Sequence, residues 1–570
     1  MRATALSLLV VGACAVIPAQ IASQHDGDSP DLGVVQRIED EAFQNSKVMD
    51  TLSWLTDVHG PRLTASPGFD EAATWAVERL SSYGLQNVHR EKWGPFGRSW
   101  ALHAYSLEML APRYAVLDAT PLAWSGSTPG QVTGDALYAP FEQPQSRLNL
   151  AKYQEALEAY EKQWRGKLRG RIVLLSKKSD VDPLTKVLFE RYTEQQLAEL
   201  ARAPEPQPRE EVDLNHIVIP DDPKEARAYL LSLPENVRDY LYEQRSALIG
   251  KRNEFLRGEG AAAVITADHR AHDGLLFAEQ SGPYQAKYPV APPIFVVTAE
   301  QYDRLARIAE KHLPVRLRVN LDAAISKDAV DTYNIVGEIP GGAKADEVVM
   351  VGAHFDSWHS GTGATDNGAG SAVMIEVMRI LKALDLHMDR TVRIALWSGE
   401  EEGLLGSKAY VKEHFGDPAT MKVTEAQAKL SGYFNLDNGS GRIRGVYLQN
   451  NVAMRPVFEH WLAPFRDLGV TTVSPRDTGG TDHLSFDAVG IPGFQFIQDP
   501  LDYETVTHHS SMDTYDHAQP ADLMQCAAVI ASVVYDAATR GSMLPRKPLP
   551  KPEPKLPASL PGVSTAAGQP

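Results

Sequence analysis

The sequence predicts an α/β fold in which a mixed, largely parallel central sheet is flanked by helices. From residue 326 onward, short apolar runs typical of buried strands alternate with segments whose apolar residues recur every three or four positions. Strands that alternate with helices form sheets that are mostly parallel and covered on both faces. In addition, three of these apolar runs end directly in acidic residues or His, as expected where strands end at a ligand-binding edge.

The elements of this part of the chain follow from that alternation. Strands are predicted at 348–353, 392–397, 433–436, 446–449 and 494–497, where the runs are short and apolar. Helices are predicted at 370–384, 403–414 and 453–465, where the apolar spacing is helical.

The 570 residues are too many for one ordinary core, so several domains are expected. Residues 33–126 are predicted to begin the α/β domain, which resumes at 326–542. Between them, 127–325 reads as a strand-rich insert that carries extra helices in a charged segment at 177–257, interpreted as surface helices covering that module. The proline-rich segment 543–570 is predicted to be a disordered tail.

The N-terminus is typical of a secretory signal peptide. Arg2 is followed by an apolar run over 5–17 and by small residues near Ala19 and Ala22. We therefore expect residues 1–22 to be removed and the protein to be periplasmic or secreted. Lipoprotein anchoring through Cys14 is a minor alternative, and no other run has the length of a membrane span, so no membrane embedding is expected.

Composition restricts the partners. The chain has 73 acidic and 56 basic residues, a net charge of -17, which opposes tight binding to nucleic acid. Removal of the leader would leave Cys526 alone, so no intramolecular disulfide is expected, and its apolar context indicates a core thiol rather than a nucleophile. The sequence is compatible with a homo-oligomer and does not determine one.

Ionisable side chains follow three of the predicted strands. His354 and Asp356 follow the first, Glu400, Glu401 and Glu402 the second, and Asp437 the third. Several carboxylates in one crevice are electrostatically costly unless a cation compensates them. Imidazole and carboxylate ligands without thiolate suit zinc or, less selectively, manganese or cobalt. The sequence therefore predicts a metal site at this edge.

Six ordered segments resemble one known family. They are "HFDS", "TDNGAG", "WSGEEEGLLGS", "NLD", "GTDHLSFDAVGIPGF" and "HHSSMDT". Together they resemble the motifs of the co-catalytic zinc exopeptidases of clan MH, which include secreted aminopeptidases, aminopeptidase Y and carboxypeptidase Q. The resemblance covers about 34–126 and 331–538 and implies the zinc exopeptidase fold. Residues 127–325 resemble the protease-associated domain often inserted in that family.

This resemblance implies two Zn2+ ions that share Asp366. The ligands of the first would be His354, Asp366 and Asp437, and those of the second Asp366, Glu401 and His509. Mn2+ or Co2+ are possible substitutes. Asp356 would accept the other imidazole proton of His354 and so fix its tautomer.

Two ambiguities concern neighbouring residues of the same type. Family spacing before "GL" selects Glu401 as the ligand and Glu400 as the general base, which leaves Glu402 as a solvated neighbour. Spacing to "DT" favours His509 over His508 as the other ligand.

The implied activity is hydrolysis of the terminal bond of a peptide substrate, of the aminopeptidase type. A carboxypeptidase or dipeptidase like carboxypeptidase Q is an alternative on the same site, and a non-catalytic binding protein of the same fold is an alternative of another class. Asp482 and His483 in "TDHLSF" resemble a family element near the substrate pocket, although they could instead cap a helix.

Overall fold

The computed structural model describes residues 29–180, 185, 187–206, 212–214 and 217–556. The predicted signal peptide, Cys14 and the end of the tail from 557 onward lie outside the described residues.

Within the described residues there are 18 strands, most of them in two large sheets. They are β1 Gln86–Gly97, β2 Trp100–Ala111, β3 Ala115–Val116, β4 Ala119–Pro121, β5 Val132–Tyr138, β6 Ile172–Leu174, β7 Ala263–Thr266, β8 Ile294–Val297, β9 Arg316–Ile325, β10 Val330–Ile339, β11 Lys344–His354, β12 Arg390–Trp397, β13 Gly416–Asp417, β14 Lys422–Val423, β15 Leu430–Asn435, β16 Ile443–Tyr447, β17 Thr472–Ser474 and β18 Gly493–Gln498.

The same part of the chain forms 14 α-helices. They are α1 Leu32–Gln44, α2 Val48–Ser53, α3 Pro67–Ser82, α4 Leu150–Trp164, α5 Glu194–Ala201, α6 Pro223–Ser232, α7 Glu235–Gly258, α8 Ala299–Glu310, α9 Ala369–Ala383, α10 Leu405–His414, α11 Glu425–Lys429, α12 Arg455–Trp461, α13 His483–Asp487 and α14 Pro520–Thr539.

The main domain is built on an eight-stranded mixed sheet. Its strand order is β1-β10-β12-β11-β15-β18-β16-β17. The four central strands β12, β11, β15 and β18 are mutually parallel, whereas β10 and β16 run antiparallel to their neighbours in that group. Helices α1, α9 and α14 pack together against this sheet and bury a large apolar core. The predicted α/β class with a largely parallel centre is confirmed.

All five predicted strands of this domain are present, within a few residues of their predicted ends. Two of the predicted helices are also present, as α9 and α10. The third, predicted over 453–465, is divided into α12 and a separate 3-10 turn at Ala463–Leu468. Pro464 explains the break, because proline within a helix removes a hydrogen bond and clashes with the preceding turn.

The second sheet forms an inserted domain, and it begins earlier than the sequence predicted. Its strand order is β3-β2-β9-β5-β6-β7-β8-β4. Strand β2 pairs with β9 from Trp100 opposite Ile325 to Ala111 opposite Arg316. Residues 100–121 therefore belong to this domain, and the boundary predicted at 126 was wrong. The polar and apolar residues of β2 are those of an ordinary strand, and they do not indicate which of the two sheets the strand joins.

The charged segment predicted to cover the insert also reaches the main domain. Helix α5 packs against β17, an edge strand of the main sheet. Arg191 contacts Asp499 at 2.9 Å and Asp522 at 2.7 Å, and Arg444 contacts Glu194 at 2.9 Å. In addition to the predicted cover of its own module, this segment therefore forms ion pairs that connect the two domains.

The first half of the predicted disordered tail is ordered. Leu544 is buried, and its backbone N–H donates to Ser431 Oγ at 3.2 Å. Farther along, Asn236 of α7 donates to the carbonyl of Pro554 at 2.8 Å. A proline-rich backbone has no internal hydrogen bonds, so its carbonyls are free to accept from neighbouring side chains. Residues 543–556 thus run along the main domain as far as the inserted domain, which corrects the prediction.

Helix α14 is the central helix of the main core. By length and composition it could cross a membrane, but most of it is buried inside the protein. Cys526, on this helix, is fully buried, and burial raises the pKa of its thiol far above the usual value. Its environment fits the predicted core thiol.

The burial of Asp536 on α14 can be tested by the pH dependence of stability. This residue is 8% exposed, and its Oδ2 has no hydrogen-bond partner among the described residues. Burial, and then Asp31, raise its pKa to about 7, so folding disfavours the charged form. Wild-type stability should therefore fall as the pH rises from about 4 to about 7.

We expect Asp536→Asn to stabilise the protein by about 1 to 3 kcal/mol at pH 8 and to have little effect at pH 4. Thermal unfolding of both proteins across this pH range measures the difference. If the difference in stability between the two proteins did not increase with pH, the raised pKa assigned to Asp536 would be contradicted.

Candidate metal centre

The three predicted site loops meet at one edge of the main sheet. Strands β12, β11 and β15 are adjacent and parallel, so their carboxyl ends lie side by side. Strand β11 ends at His354, β12 is followed by Glu400 and Glu401, and β15 is followed by Asp437. The loop between β11 and α9 adds Asp366, and a loop after β18 adds His509.

Asp366 lies between the two imidazoles. Its Oδ1 is 3.3 Å from His354 Nε2, and its Oδ2 is 3.3 Å from His509 Nε2. Asp437 Oδ1 is 3.2 Å from His354 Nε2, and Glu401 Oε2 is 3.1 Å from His509 Nε2. The structure thus brings all five predicted ligands together around Asp366, whose carboxylate the two predicted triads share. The compact groups that could hold one ion are His354 with Asp366 and Glu401, and Asp366 with His508 and His509.

The side chains of the two triads fit a divalent metal. Asp366 Oδ2 and Glu401 Oε1 are buried and have no hydrogen-bond partner within the described part of the chain. Burial, and then Asp366, raise the pKa of Glu401 to about 8. Although burial opposes it, Asp437 and Glu400 raise the pKa of His354 well above its usual value. The pocket therefore requires positive charge, and its donors are those that zinc prefers.

Comparison with known proteins supports the same interpretation of the fold. Residues 334–534 match the model of peptidase family M28. This part of the chain, which holds the strands β11, β12 and β15, is therefore similar to that family. Carboxypeptidase Q of Mus musculus is 24% identical over 514 residues, which cover 88% of each protein.

Two solved structures share the fold over most of the chain. The peptidase M28 precursor of Shewanella amazonensis has a TM-score of 0.61 at 25% identity and covers 91% of this chain and 98% of its own. BSAP, a zinc aminopeptidase from Bacillus subtilis, has a TM-score of 0.51 at 19% identity, covering 86% of this chain and 94% of its own. At that identity the second comparison concerns the fold alone.

Close packing within the main domain fixes the loop that carries Asp366. Asn367 donates to the carbonyl of Leu436 at 2.9 Å. A Cβ on Gly370 would lie 2.3 Å from the same carbonyl oxygen, so only glycine fits there. This contact holds the Asp366 loop against the loop that carries Asp437.

Two buried side chains that the sequence analysis did not single out stabilise the same loop. Arg62 donates to four backbone carbonyls, those of Leu55, Phe355, Thr362 and Gly363. Asp513 accepts from the backbone N–H of Thr365 at 2.6 Å and of Asp366 at 3.2 Å. Both residues lie in segments with recognisable patterns, "HGPRL" and "SSMDT", so their positions in the sequence were a usable signal.

Of the two neighbouring histidines, His509 is the better placed. His508 Nε2 is 3.8 Å from Asp366 Oδ2, farther than His509, and its side chain is 33% exposed. The two rings lie 4.0 Å apart. Both histidines belong with Asp366 to one group that could hold an ion, so the choice of His509 stays a prediction.

The expected role of Asp356 is corrected by the geometry. His354 Nδ1 is 3.0 Å from the backbone carbonyl of Asp356 but 3.8 Å from its carboxylate. The carboxylate instead accepts from Thr64 Oγ1 at 2.9 Å and from the backbone N–H groups of Glu400 and Glu401 at 3.3 Å each. A fully buried carboxylate needs donors, and the loop amides provide them. Asp356 therefore positions the glutamate loop.

Glu402 is not the solvated neighbour that was predicted. Both of its carboxylate oxygens are buried and have no hydrogen-bond partner among the residues described. Burial, and then Asp356, raise its pKa well above the usual value. Tyr284 of the inserted domain belongs to the same apolar cluster as Leu63 and Leu405, so the inserted domain lies close to the glutamate loop.

Asp482 and His483 lie behind the site. Both are completely buried, so direct contact with substrate does not fit. Asp482 makes no capping hydrogen bond to α13 either, and burial raises its pKa to about 7. His483 Nε2 contacts the carbonyl of Thr478 at 3.2 Å. The motif begins a helix that packs inward, so burial does not favour the predicted pocket role, and the side chain of Asp482 does not form the predicted cap.

One further contact comes from the inserted domain. Glu279 Oε1 is 3.0 Å from Nδ1 of His509. The two residues are 230 positions apart, and nothing in the sequence around Glu279 indicated a role at the site.

Proposed function

We propose that this protein is a metal-dependent exopeptidase of the aminopeptidase type, which hydrolyses a terminal bond of a peptide substrate that has a free amine. The observation that carries this proposal is the pair of imidazole and carboxylate triads that share Asp366. The M28 match over 334–534 supports the same class of reaction. With the predicted leader, the enzyme would act after export.

The five side chains of the two triads would hold two zinc ions, with manganese or cobalt as possible substitutes. When bound, such a pair would acidify a water molecule and polarise the scissile carbonyl.

Glu400 is the candidate general base. Its Oε2 lies 4.0 Å from His354 Nε2, and its side chain is only 10% exposed. The carboxylate would accept the proton of the attacking water and return it to the leaving nitrogen. The backbone N–H of Glu400 donates to Asp356 at 3.3 Å, which helps to fix the backbone that carries this carboxylate.

Tyr503 is the candidate donor to the tetrahedral oxyanion. Burial, and then Asp366, Asp437 and Glu401, raise the pKa of its hydroxyl well above the usual value. The hydroxyl therefore remains uncharged, and the Tyr503 ring lies 4.7 Å from the ring of His508, the neighbour of His509. A fixed donor of this kind stabilises charge that develops during acyl transfer.

The charge around the site favours a substrate amine. Two arginines near the site, Arg62 and Arg270, already have protein partners. Arg62 donates to backbone carbonyls, and Arg270 pairs with Asp268 at 2.9 Å and Glu279 at 2.8 Å. The buried acids around Glu400 therefore attract an α-ammonium group more than a carboxylate.

A carboxypeptidase or dipeptidase activity is the second candidate. The similarity to mouse carboxypeptidase Q covers 88% of both chains. Arg245 of the inserted domain has a buried Nε without a hydrogen-bond partner in the described ranges, and it interacts electrostatically with Glu279. This guanidinium is a cation that a C-terminal carboxylate could use.

Three substrates distinguish these candidates: an aminoacyl-anilide, an unblocked dipeptide and its N-acetyl derivative, each assayed with zinc-loaded enzyme. We expect acetylation to lower kcat/KM by about 10- to 100-fold, because it removes a charge-assisted hydrogen bond. The anilide should also be hydrolysed.

Hydrolysis of the acetylated dipeptide without hydrolysis of the anilide would favour a carboxypeptidase. A protein that binds zinc but hydrolyses none of the three would favour a binding protein of the same fold.

A further inference from the structure

Glu279 connects the inserted domain to the proposed second metal site. His509 Nδ1 lies 3.0 Å from Glu279 Oε1, while its Nε2 faces Glu401 Oε2 at 3.1 Å and Asp366 Oδ2 at 3.3 Å. One ring nitrogen therefore points at the inserted domain and the other at the shared carboxylate. When Nδ1 donates to Glu279, the lone pair of Nε2 is directed into the metal site.

The carboxylate of Glu279 is itself held in place. Arg270 Nη2 donates to Glu279 Oε1 at 2.8 Å, and the same guanidinium forms a two-point contact with Asp268 at 2.9 and 3.1 Å. The guanidinium also lies over the ring of Phe277, 4.5 Å from its centroid. A planar guanidinium that pairs with two carboxylates fixes the direction of both.

The backbone around Glu279 is joined to the loop that carries His509. The N–H of Ser511 donates to the carbonyl of Leu276 at 2.8 Å, and Phe277 forms an isolated β-bridge with Ser510. His272 Nε2 contacts the carbonyl of Thr505 at 3.1 Å. The contact between Glu279 and His509 is therefore one of several in a continuous interface.

The other metal-site histidine has no equivalent partner in the inserted domain among the described contacts. His354 Nδ1 lies 3.0 Å from the carbonyl of Asp356, two residues away in its own loop. The two imidazoles are thus oriented by different means, one by a neutral local acceptor and one by a charged acceptor from another domain.

We propose that Glu279 is a positioning residue that fixes the tautomer and orientation of His509, so that the inserted domain determines the affinity of the second metal ion but not of the first. The second ion is the one held by Asp366, Glu401 and His509, and this inference rests on the metal centre proposed above. Partners that orient a metal-binding histidine typically change metal affinity by about 10- to 100-fold when they are mutated.

The test measures zinc binding by Glu279→Ala, Glu279→Gln and wild-type protein in competition with a chromophoric chelator. Glu243→Ala is the matched control, because Glu243 also lies in the inserted domain and pairs with Lys287 at 3.1 Å, and its side chain is 52% exposed. We expect Glu279→Ala to weaken the second ion by about 10- to 100-fold and to leave the first unchanged. Glu279→Gln, which keeps an acceptor but not the charge, should have a smaller effect, and the control should bind like wild type.

Absorption spectra of the cobalt-loaded proteins give an independent readout, since they report the ligand geometry of each site. We expect Glu279→Ala to change the spectrum of the second equivalent of cobalt only. If Glu279→Ala does not fold, the isosteric Glu279→Gln variant carries the comparison.

The outcomes separate the two proposals. Wild-type protein that binds no metal would overturn the metal centre itself. Wild-type protein that binds two ions, together with Glu279 variants of unchanged affinity, would overturn the role of Glu279 alone. An equal loss at both sites would also overturn it, because a general disturbance of the domain interface would explain that result.

Discussion

Replacement of Glu400 by Gln is expected to lower kcat by about 10³-fold while both metal ions remain bound. The amide has nearly the same shape as the carboxylate but cannot accept the proton of the attacking water. The two triads are formed by other side chains, so the metal content should not change. The measurement is kcat on an unblocked dipeptide together with the metal content of the same samples.

The neighbouring glutamates provide the controls for this variant. Glu401→Gln should lose the second metal ion as well as activity, because Glu401 contacts His509 at 3.1 Å. Glu402→Gln should retain both ions and lose much less activity, since Glu402 is neither a proposed ligand nor the proposed base, and burial raises the pKa of its carboxyl well above the usual value. A Glu400→Gln enzyme with a nearly normal rate would remove Glu400 from proton transfer.

The sheet and the metal-site side chains were accessible from sequence because each depends on a local pattern. The apolar runs before His354, Glu400 and Asp437 predict buried strands. The residues that follow these runs predict that the end of each strand is polar. Parallel strands then bring those ends together without any further information. The same reasoning places α9, whose apolar positions match a buried helix.

The features that could not be predicted from the sequence depend on contacts between distant segments of the chain. The carboxylate of Asp356 turns away from His354 because the amides of another loop are close to it. Residues 100–121 join the inserted sheet because β9, some 200 positions later, pairs with β2. The order of the tail and the position of Glu279 could not be predicted either, because each depends on contacts with a distant part of the chain.

Replacement of Asp366 by Ala is expected to have the broadest effect at this site. Each oxygen of this carboxylate faces a different imidazole at 3.3 Å, so both triads lose a side chain at once. With two ligands left in each, neither site should retain zinc through dialysis, and activity should fall by at least about 10³-fold.

Metal content and thermal unfolding measure this prediction directly. Zinc that binds only the folded state should raise the Tm of wild-type protein and have no such effect on Asp366→Ala. Asp437→Ala should lose the first ion and keep the second, because Asp437 contacts only His354 of the two imidazoles. If Asp366→Ala lost a single ion, as Asp437→Ala does, the two sites would be independent and the shared carboxylate would not be a bridge. The loss of both ions from one substitution distinguishes a co-catalytic pair from two separate sites that happen to be adjacent.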